Sequence, residues 1–235
     1  MTRGKITFML CILFTAISTM VYAEREERHV GPFSEISLKI WAEVHVEQGT
    51  KQSVEIVGKT EDIGQVITEV NNRQLTIRRS TKEMLLGDSN QKKLTIYITV
   101  PEVTALNISG SGQLTVDGPL TARIIDLAVS GSGILKLTNL SSEKISADMS
   151  GSGQIIIEGK EQAESLSIKK SGSGTFRSSQ LKVKEVKALI SGSGNCYVCA
   201  LNSLKAKIAG SGNVIYKGDP SIDSSIVGSG KVKPE

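Results

Sequence analysis

A tetrapeptide, Ser-Gly-Ser-Gly, recurs through the second half of this chain at an almost fixed interval. It begins at Ser109, Ser130, Ser150, Ser171 and Ser191, and degenerate copies begin at Ala209 and Val227. The intervals are 21, 20, 21, 20, 18 and 16 residues. A fixed period near 20 residues without helical signatures marks a solenoid whose coils are short strands. The flanks agree, since each copy sits between runs of Ile, Val and Leu that alternate with polar residues.

Parity extends this to side-chain direction. Around the first copy Leu106, Ile108, Leu114 and Val116 share one face with the glycines, and Asn107, Ser109, Ser111, Gln113 and Thr115 share the other. The pattern repeats, so apolar residues and both glycines of each copy are expected inward and both serines outward. Glycine weakens a strand unless the chain turns tightly or approaches other backbone. The glycines are therefore structural: Gly110, Gly112, Gly131, Gly133, Gly151, Gly153, Gly172, Gly174, Gly192, Gly194, Gly210, Gly212, Gly228 and Gly230 line a sharp corner, Gly over Gly and Ser over Ser. Lys170 is the outlier, pointed inward by parity, and is expected to mark a local bulge.

The upstream residues extend the scheme. Ile36, Leu38, Val44, Val46, Val54, Ile56, Leu75, Ile77, Ile96 and Ile98 alternate with polar residues. Gln48-Gly49 and Asn71-Asn72 are expected turns, Thr60 to Ile67 a short helical turn, and Thr81 to Lys93 a long loop. The expected fold is all-β, a single-domain parallel β-helix or β-solenoid of roughly ten coils at about 20 residues each. Residues 24–105 would supply N-terminal coils and 106–235 the repeat coils. Pro220 and Lys231-Val-Lys-Pro-Glu235 suit the C-terminal end, where an open edge invites pairing.

Residues 1–23 read as a secretory signal peptide. Arg3 and Lys5 precede an apolar run from Ile6 to Val21, Val21-Tyr22-Ala23 has a cleavage-site pattern, and charged residues follow at once. The run is shorter than the roughly 20 residues that span a bilayer, and Phe8-Met9-Leu10 before Cys11 does not fit a lipoprotein site. Cleavage after Ala23 is expected, with no transmembrane segment left. The mature protein is then exported, to the periplasm, the cell surface or the medium.

Charge and composition exclude several functions. The formal net charge is +4 and aromatic residues are 4% of the chain, which with export argues against nucleic-acid binding. Only two histidines, His29 and His45, are present, so a multi-histidine centre is excluded. Cys196 and Cys199 have C-x-x-C spacing but lie in a strand-like run, with no helix N-terminus to lower a thiol pKa and no second pair for zinc. They form either a local disulfide or one buried and one half-exposed thiol. A calcium ladder needs an aspartate after the glycines, and that position holds Leu114, Leu135, Ile155, Phe176, Cys196 and Val214. No cofactor is expected.

Phe33-x-x-Ile36, Val44-x-Val46-x-Gln48-Gly49, Leu75-Thr76-Ile77, Thr99-Val100-Pro101 and the Ser-Gly-Ser-Gly ladder together resemble the putative auto-transporter adhesin, head GIN domain family. The resemblance spans about Phe33 to Val232. It implies an exported bacterial protein with a β-helix-like stack of coils and an adhesin-like or envelope role, and it brings no catalytic residues.

Glycoside hydrolysis needs two carboxylates roughly 5 to 9.5 Å apart. Asp117, Asp126, Asp148, Glu158, Asp219 and Asp223 do not recur at one position of the coil, as solvated surface charge would not. The candidate ligand-facing ladder is Ser109, Ser111, Ser130, Ser132, Ser150, Ser152, Ser171, Ser173, Ser191 and Ser193, with Asn195 and Tyr197 beside it and Gln113, Gln154, Thr175 and Asn213 as further polar neighbours. Such a strip could bind a repeating ligand, or its small hydroxyls could simply fit a tight corner. Ile134, Ile156, Leu189, Tyr197 and Ile215 are expected outward and would mark a partner surface if clustered. The reading is a non-enzymatic envelope or surface interaction module, adhesin-like, whose partner is a glycan or an envelope or host protein. The alternatives are a periplasmic polysaccharide lyase or hydrolase and a purely structural envelope protein.

Overall fold

The computed structural model describes residues 24–80 and 94–235, so the leader and the expected loop Thr81 to Lys93 lie outside the described residues. The rest is a parallel β-solenoid. Its repeat part runs β8 (Ala105–Gly110), β9 (Gln113–Gly131), β10 (Ile134–Gly151), β11 (Gln154–Glu158), β12 (Ala163–Gly172), β13 (Thr175–Gly192), β14 (Cys196–Gly210), β15 (Asn213–Lys217), β16 (Ser221–Val227) and β17 (Lys231–Pro234). Strands as long as β9 bend within their length: they start on one sheet and end on another, where they pair in parallel with the coils before and after. The sharp corner between the two sheets is the Ser-Gly-Ser-Gly repeat. We call the sheet that ends at this corner the first sheet and the one that begins there the second.

From Ser109 to Val227 the chain makes about six turns, fewer than the roughly ten expected. The difference lies upstream, where residues are spent on closing the end. Strands β1 (Glu24–Glu27), β4 (Ser53–Gly58) and β7 (Thr95–Val100) pair antiparallel in the order β1–β4–β7. β5 (Val66–Asn71) and β6 (Gln74–Arg79) form an antiparallel hairpin. Its turn residues Asn72 and Arg73 have φ of 49° and 63°, the left-handed pair that a two-residue hairpin turn requires. The expected helical turn is α1 (Thr60–Ile63).

These strands are not a simple extension of the repeat series. β2 (Glu35–Leu38) lies between β6 and β8, and β3 (Glu43–Gln48) lies between β7 and β9. The first coil in sequence is thus the second in space, and the chain passes it through residues 101–104 to begin the repeats.

The core is made of columns, one residue per coil. Val44, Leu114, Leu135, Ile155, Phe176, Cys196 and Val214 form one column in register, and all are fully buried. The corner sets this register. In the third repeat Gly151 has φ +104°, and a Cβ there would stand 2.6 Å from the carbonyl oxygen of Gly131 one coil below. That same carbonyl accepts hydrogen bonds from the N–H groups of Ser152 and Gly153, each at 2.9 Å. Gly153 is buried, and its Cβ would meet Gly133 O and Val129 Cγ1 at 2.6 Å. Gly stacks on Gly, but only the second glycine of each copy points inward. The first lies at the surface wherever the turn occurs, because its positive φ breaks the strand parity that placed both inside.

Lys170 is inward and 3% exposed, as parity required, but no bulge accompanies it. It sits in unbroken register between Met149 and Ile190. Its Nζ donates to the carbonyls of Gly174 (3.0 Å) and Asn195 (3.2 Å), filling the space beneath the next corner. Burial lowers its pKa to about 8, and burial raises that of the neighbouring Cys196 thiol to about 12.

Two predictions follow from the corner. Gly151→Ala combines left-handed strain with a backbone clash and should destabilise the protein by about 3 kcal/mol or more. Gly118→Ala, with φ +79° but nothing within 4 Å of the new Cβ, should lose only about 1 kcal/mol; urea titration of the two variants measures the difference. For Lys170 the folded pKa lies below the unfolded value of 10.5, so between about pH 8 and 10.5 the unfolded chain binds the proton that the folded chain lacks, and this lysine's contribution to stability rises with pH. Wild type measured against Lys170→Met should gain on the order of 3 kcal/mol across that window, with Lys170→Met at least as stable at pH 7. The Cys196 thiol acts in the opposite sense above pH 9 and is coupled to the Lys170 charge, so the comparison is repeated in a Cys196→Ala background.

Candidate ligand-binding face

All ten serines of the ladder are exposed, and among the described residues their hydroxyls make no hydrogen bond. They form in-register rows, Ser109–Ser130–Ser150–Ser171–Ser191, continued by Ala209. The stack is therefore held at this corner by backbone hydrogen bonds, and the hydroxyls face solvent.

Past the corner, the outer side of the second sheet carries two parallel rows. The first begins Gln113, Ile134, Gln154, Thr175. It continues with Asn195 and Asn213, whose side chains are linked by an Asn213 Nδ2 to Asn195 Oδ1 hydrogen bond of 3.0 Å. Asn213 Oδ1 in turn accepts from the Lys231 backbone N–H at 3.1 Å. Asn195 and Asn213 thus form a short amide ladder along the stack.

The second row is Tyr97, His45, Thr115, Lys136, Ile156, Arg177, Tyr197, Ile215 and Lys233. Tyr97 is 43% exposed and stacks on His45 with ring centroids 5.4 Å apart. His45 Nδ1 lies 2.7 Å from Asp117 Oδ2, and its Nε2 lies 3.5 Å from Glu43 Oε1. Both ring nitrogens face carboxylates, so the imidazole is fixed as a platform under Tyr97. The Arg177 guanidinium lies 4.3 Å above the Tyr197 ring, a cation–π contact.

Tyr197 is not alone in this row. The topology places Tyr97 in the same row six rungs away, about 29 Å at the inter-strand spacing of ~4.8 Å. Trp41 adds a third ring, 37% exposed. It precedes Ala42, whose carbonyl accepts from the Gln113 N–H, and so holds the corner position that Ser111 holds one coil later. Tyr97 and Tyr197 carry a sequence signal in their outward strand parity, whereas Trp41 lies in the bend between β2 and β3 and carries none. Of the residues expected outward, Ile134, Ile156 and Leu189 are half-buried, but Ile215 is 7% exposed and buried. Ile134 and Ile156 lie on the second sheet and Leu189 on the first, so they form no single apolar patch.

The first sheet has a different outer side. A groove of about 660 Å³ crosses it, lined by outward Ala128, Lys169, Leu189 and Lys207 and the corner serines Ser150, Ser171 and Ser191, over the buried core residues Val129, Met149, Ile190 and Ile208. Asp148, in this groove, lies between Ala128 and Lys169 in register, without a carboxylate partner on either neighbouring rung. Among the described residues no group of three or more His, Cys, Asp or Glu side chains could hold a metal ion. The cysteines are free, Cys196 buried and Cys199 half-exposed, and no disulfide joins them. No helix among the described residues is long and apolar enough to cross a membrane.

The sequence matches the putative auto-transporter adhesin, head GIN domain family over residues 32–220. The chain belongs to this family. No curated protein matches it. Among solved structures it is similar to a putative adhesin from Bacteroides fragilis NCTC 9343 (23% identity, TM-score 0.81). It is also similar to a putative lipid binding protein (24% identity, TM-score 0.74) and a putative adhesin (23%, 0.73), both from Parabacteroides distasonis ATCC 8503. Each comparison covers 91% of this chain and 97% of the other. At these identities the likeness is one of fold.

Proposed function

We propose that this protein is an exported, non-enzymatic interaction module of adhesin type that holds a glycan along the outer side of its second sheet. The observation that carries the reading is a row holding the exposed Tyr97 ring and the half-buried Tyr197 ring beside a parallel row rich in amides and hydroxyls. Aromatic faces take the apolar faces of sugar rings, and amides satisfy hydroxyls in both directions. Coils repeated at about 4.8 Å set polar groups along one extended line, which suits a polymer. Family membership supports the adhesin-like role, and the leader-like residues 1–23 support export.

A second reading draws on the groove of the first sheet. Its volume of about 660 Å³ and largely apolar lining suit an acyl chain, and one structural relative is described as a putative lipid binding protein.

Tyr97→Ala and Tyr197→Ala should each weaken binding to a glycan array several-fold, at about 1 kcal/mol per lost ring contact, while Leu189→Glu in the groove should leave it unchanged. Undiminished glycan binding in both tyrosine variants, or displacement of a groove-bound hydrophobic dye by fatty acid, would shift the assignment to the groove. Export to the surface is tested separately: protease applied to intact cells should remove the protein, and protection until the envelope is opened would place it inside.

A further inference from the structure

The solenoid converts chain position into axial position, and charge is unevenly spread along it. Residues 165–235 carry eleven Lys and Arg against four Asp and Glu, a net +7, whereas residues 24–164 carry fifteen against twenty, a net −5. A net charge near zero for the whole therefore conceals a basic end and an acidic body.

On the second sheet this basic end coincides with the richest part of the candidate face. Arg177, Lys231 and Lys233 surround Tyr197, Asn195 and Asn213, since Lys233 lies three rungs beyond Arg177 in one row and Lys231 follows Asn213 in the other. The whole patch spans about 14 Å along the stack. None of the three cations has a carboxylate partner among the described residues. The neighbouring Lys217 does, pairing with Glu235 at 3.5 Å. In other C-terminal coils Lys184 pairs with Glu164 at 2.7 Å and Lys205 with Asp223 at 2.9 Å. Exposed cations held apart from carboxylates, beside amides and a ring, form a site for a ligand that brings its own anions.

We infer that the glycan bound on the second sheet is an acidic one, a polymer bearing carboxylates such as a uronate chain, and that Arg177, supported on the Tyr197 ring, receives those carboxylates with Lys231 and Lys233 while Asn195 and Asn213 hold the sugar. This rests on the glycan reading above and adds to it the charge class of the ligand. The acidic N-terminal coils around Glu43 and Asp117 repel the same polymer, which confines it to the C-terminal coils.

The test uses the purified protein with a panel of uronate polymers (polygalacturonate, alginate and hyaluronate), each beside its fully methyl-esterified form, which keeps the backbone and removes the charge. At least one acid form should bind at least tenfold more tightly than its ester, with affinity falling as salt rises. Arg177→Gln and the double variant Lys231→Gln/Lys233→Gln should each remove most of that preference. Lys187→Gln/Lys207→Gln on the first sheet should retain it. Equal binding of acid and ester overturns the inference and leaves the glycan reading standing. Equal loss in the first-sheet variant overturns it by showing a diffuse basic field instead of a site. Binding of neutral glycans alone overturns it too, and binding of none overturns both readings.

Discussion

The contact on which this structure depends is a backbone carbonyl, that of the first glycine in each repeat, lying where a side chain of the coil above would have to begin. At Gly151 the separation from Gly131 O to a Cβ position would be 2.6 Å, and the same oxygen accepts two N–H groups from the coil above. The interaction holds only if the upper coil carries glycine there and adopts positive φ. It fixes where each coil turns, and so fixes which residue of one coil lies over which residue of the next. The core columns and the outer rows are both consequences of that register.

A stack built this way presents rows in place of a pocket. Groups that would be scattered on a globular surface recur at the strand spacing along one line, so a weak single contact is repeated. The candidate face uses two such lines, an amide and hydroxyl row and a row of rings and cations, next to a corner whose hydroxyls are free. It differs in kind from the groove of the first sheet, whose lining is largely apolar with lysines beside it. The fold also makes electrostatics one-dimensional: because coils succeed one another along an axis, a drift in composition along the sequence becomes a gradient of potential along the molecule.

The burial of Lys170 shows how closely the corner is filled. A lysine replaces an aliphatic residue in a core column without disturbing the pairing, because its ammonium reaches two carbonyls at the corner. Its lowered pKa records the desolvation that remains after those bonds are made.

The repeat half was legible from residues alone. The period located the coils, strand parity gave the inward columns and the outward serines, and the need for close backbone approach accounted for the glycines. Parity failed at one place, the first glycine, because alternation presumes extended backbone and a turn through positive φ rotates it out of phase. The upstream third was legible as strands but not as an arrangement: the alternation of Val44, Ile56, Leu75 and Ile96 does not say whether a strand runs parallel or antiparallel, or which coil it joins. Ten coils were expected where about six form, since hairpins and end strands consume residues without advancing the stack. The candidate face divides in the same way. Asn195, Tyr197 and the serines could be named from the local repeat, whereas Tyr97, His45 and Trp41 join them only because β2 and β3 are inserted between later strands. Sequence by itself determined the local geometry, because period, parity and glycine sterics act over a few residues. Only the tertiary structure decided which distant rows align, because strand order depends on how the open end of the stack is closed, and that is a long-range choice.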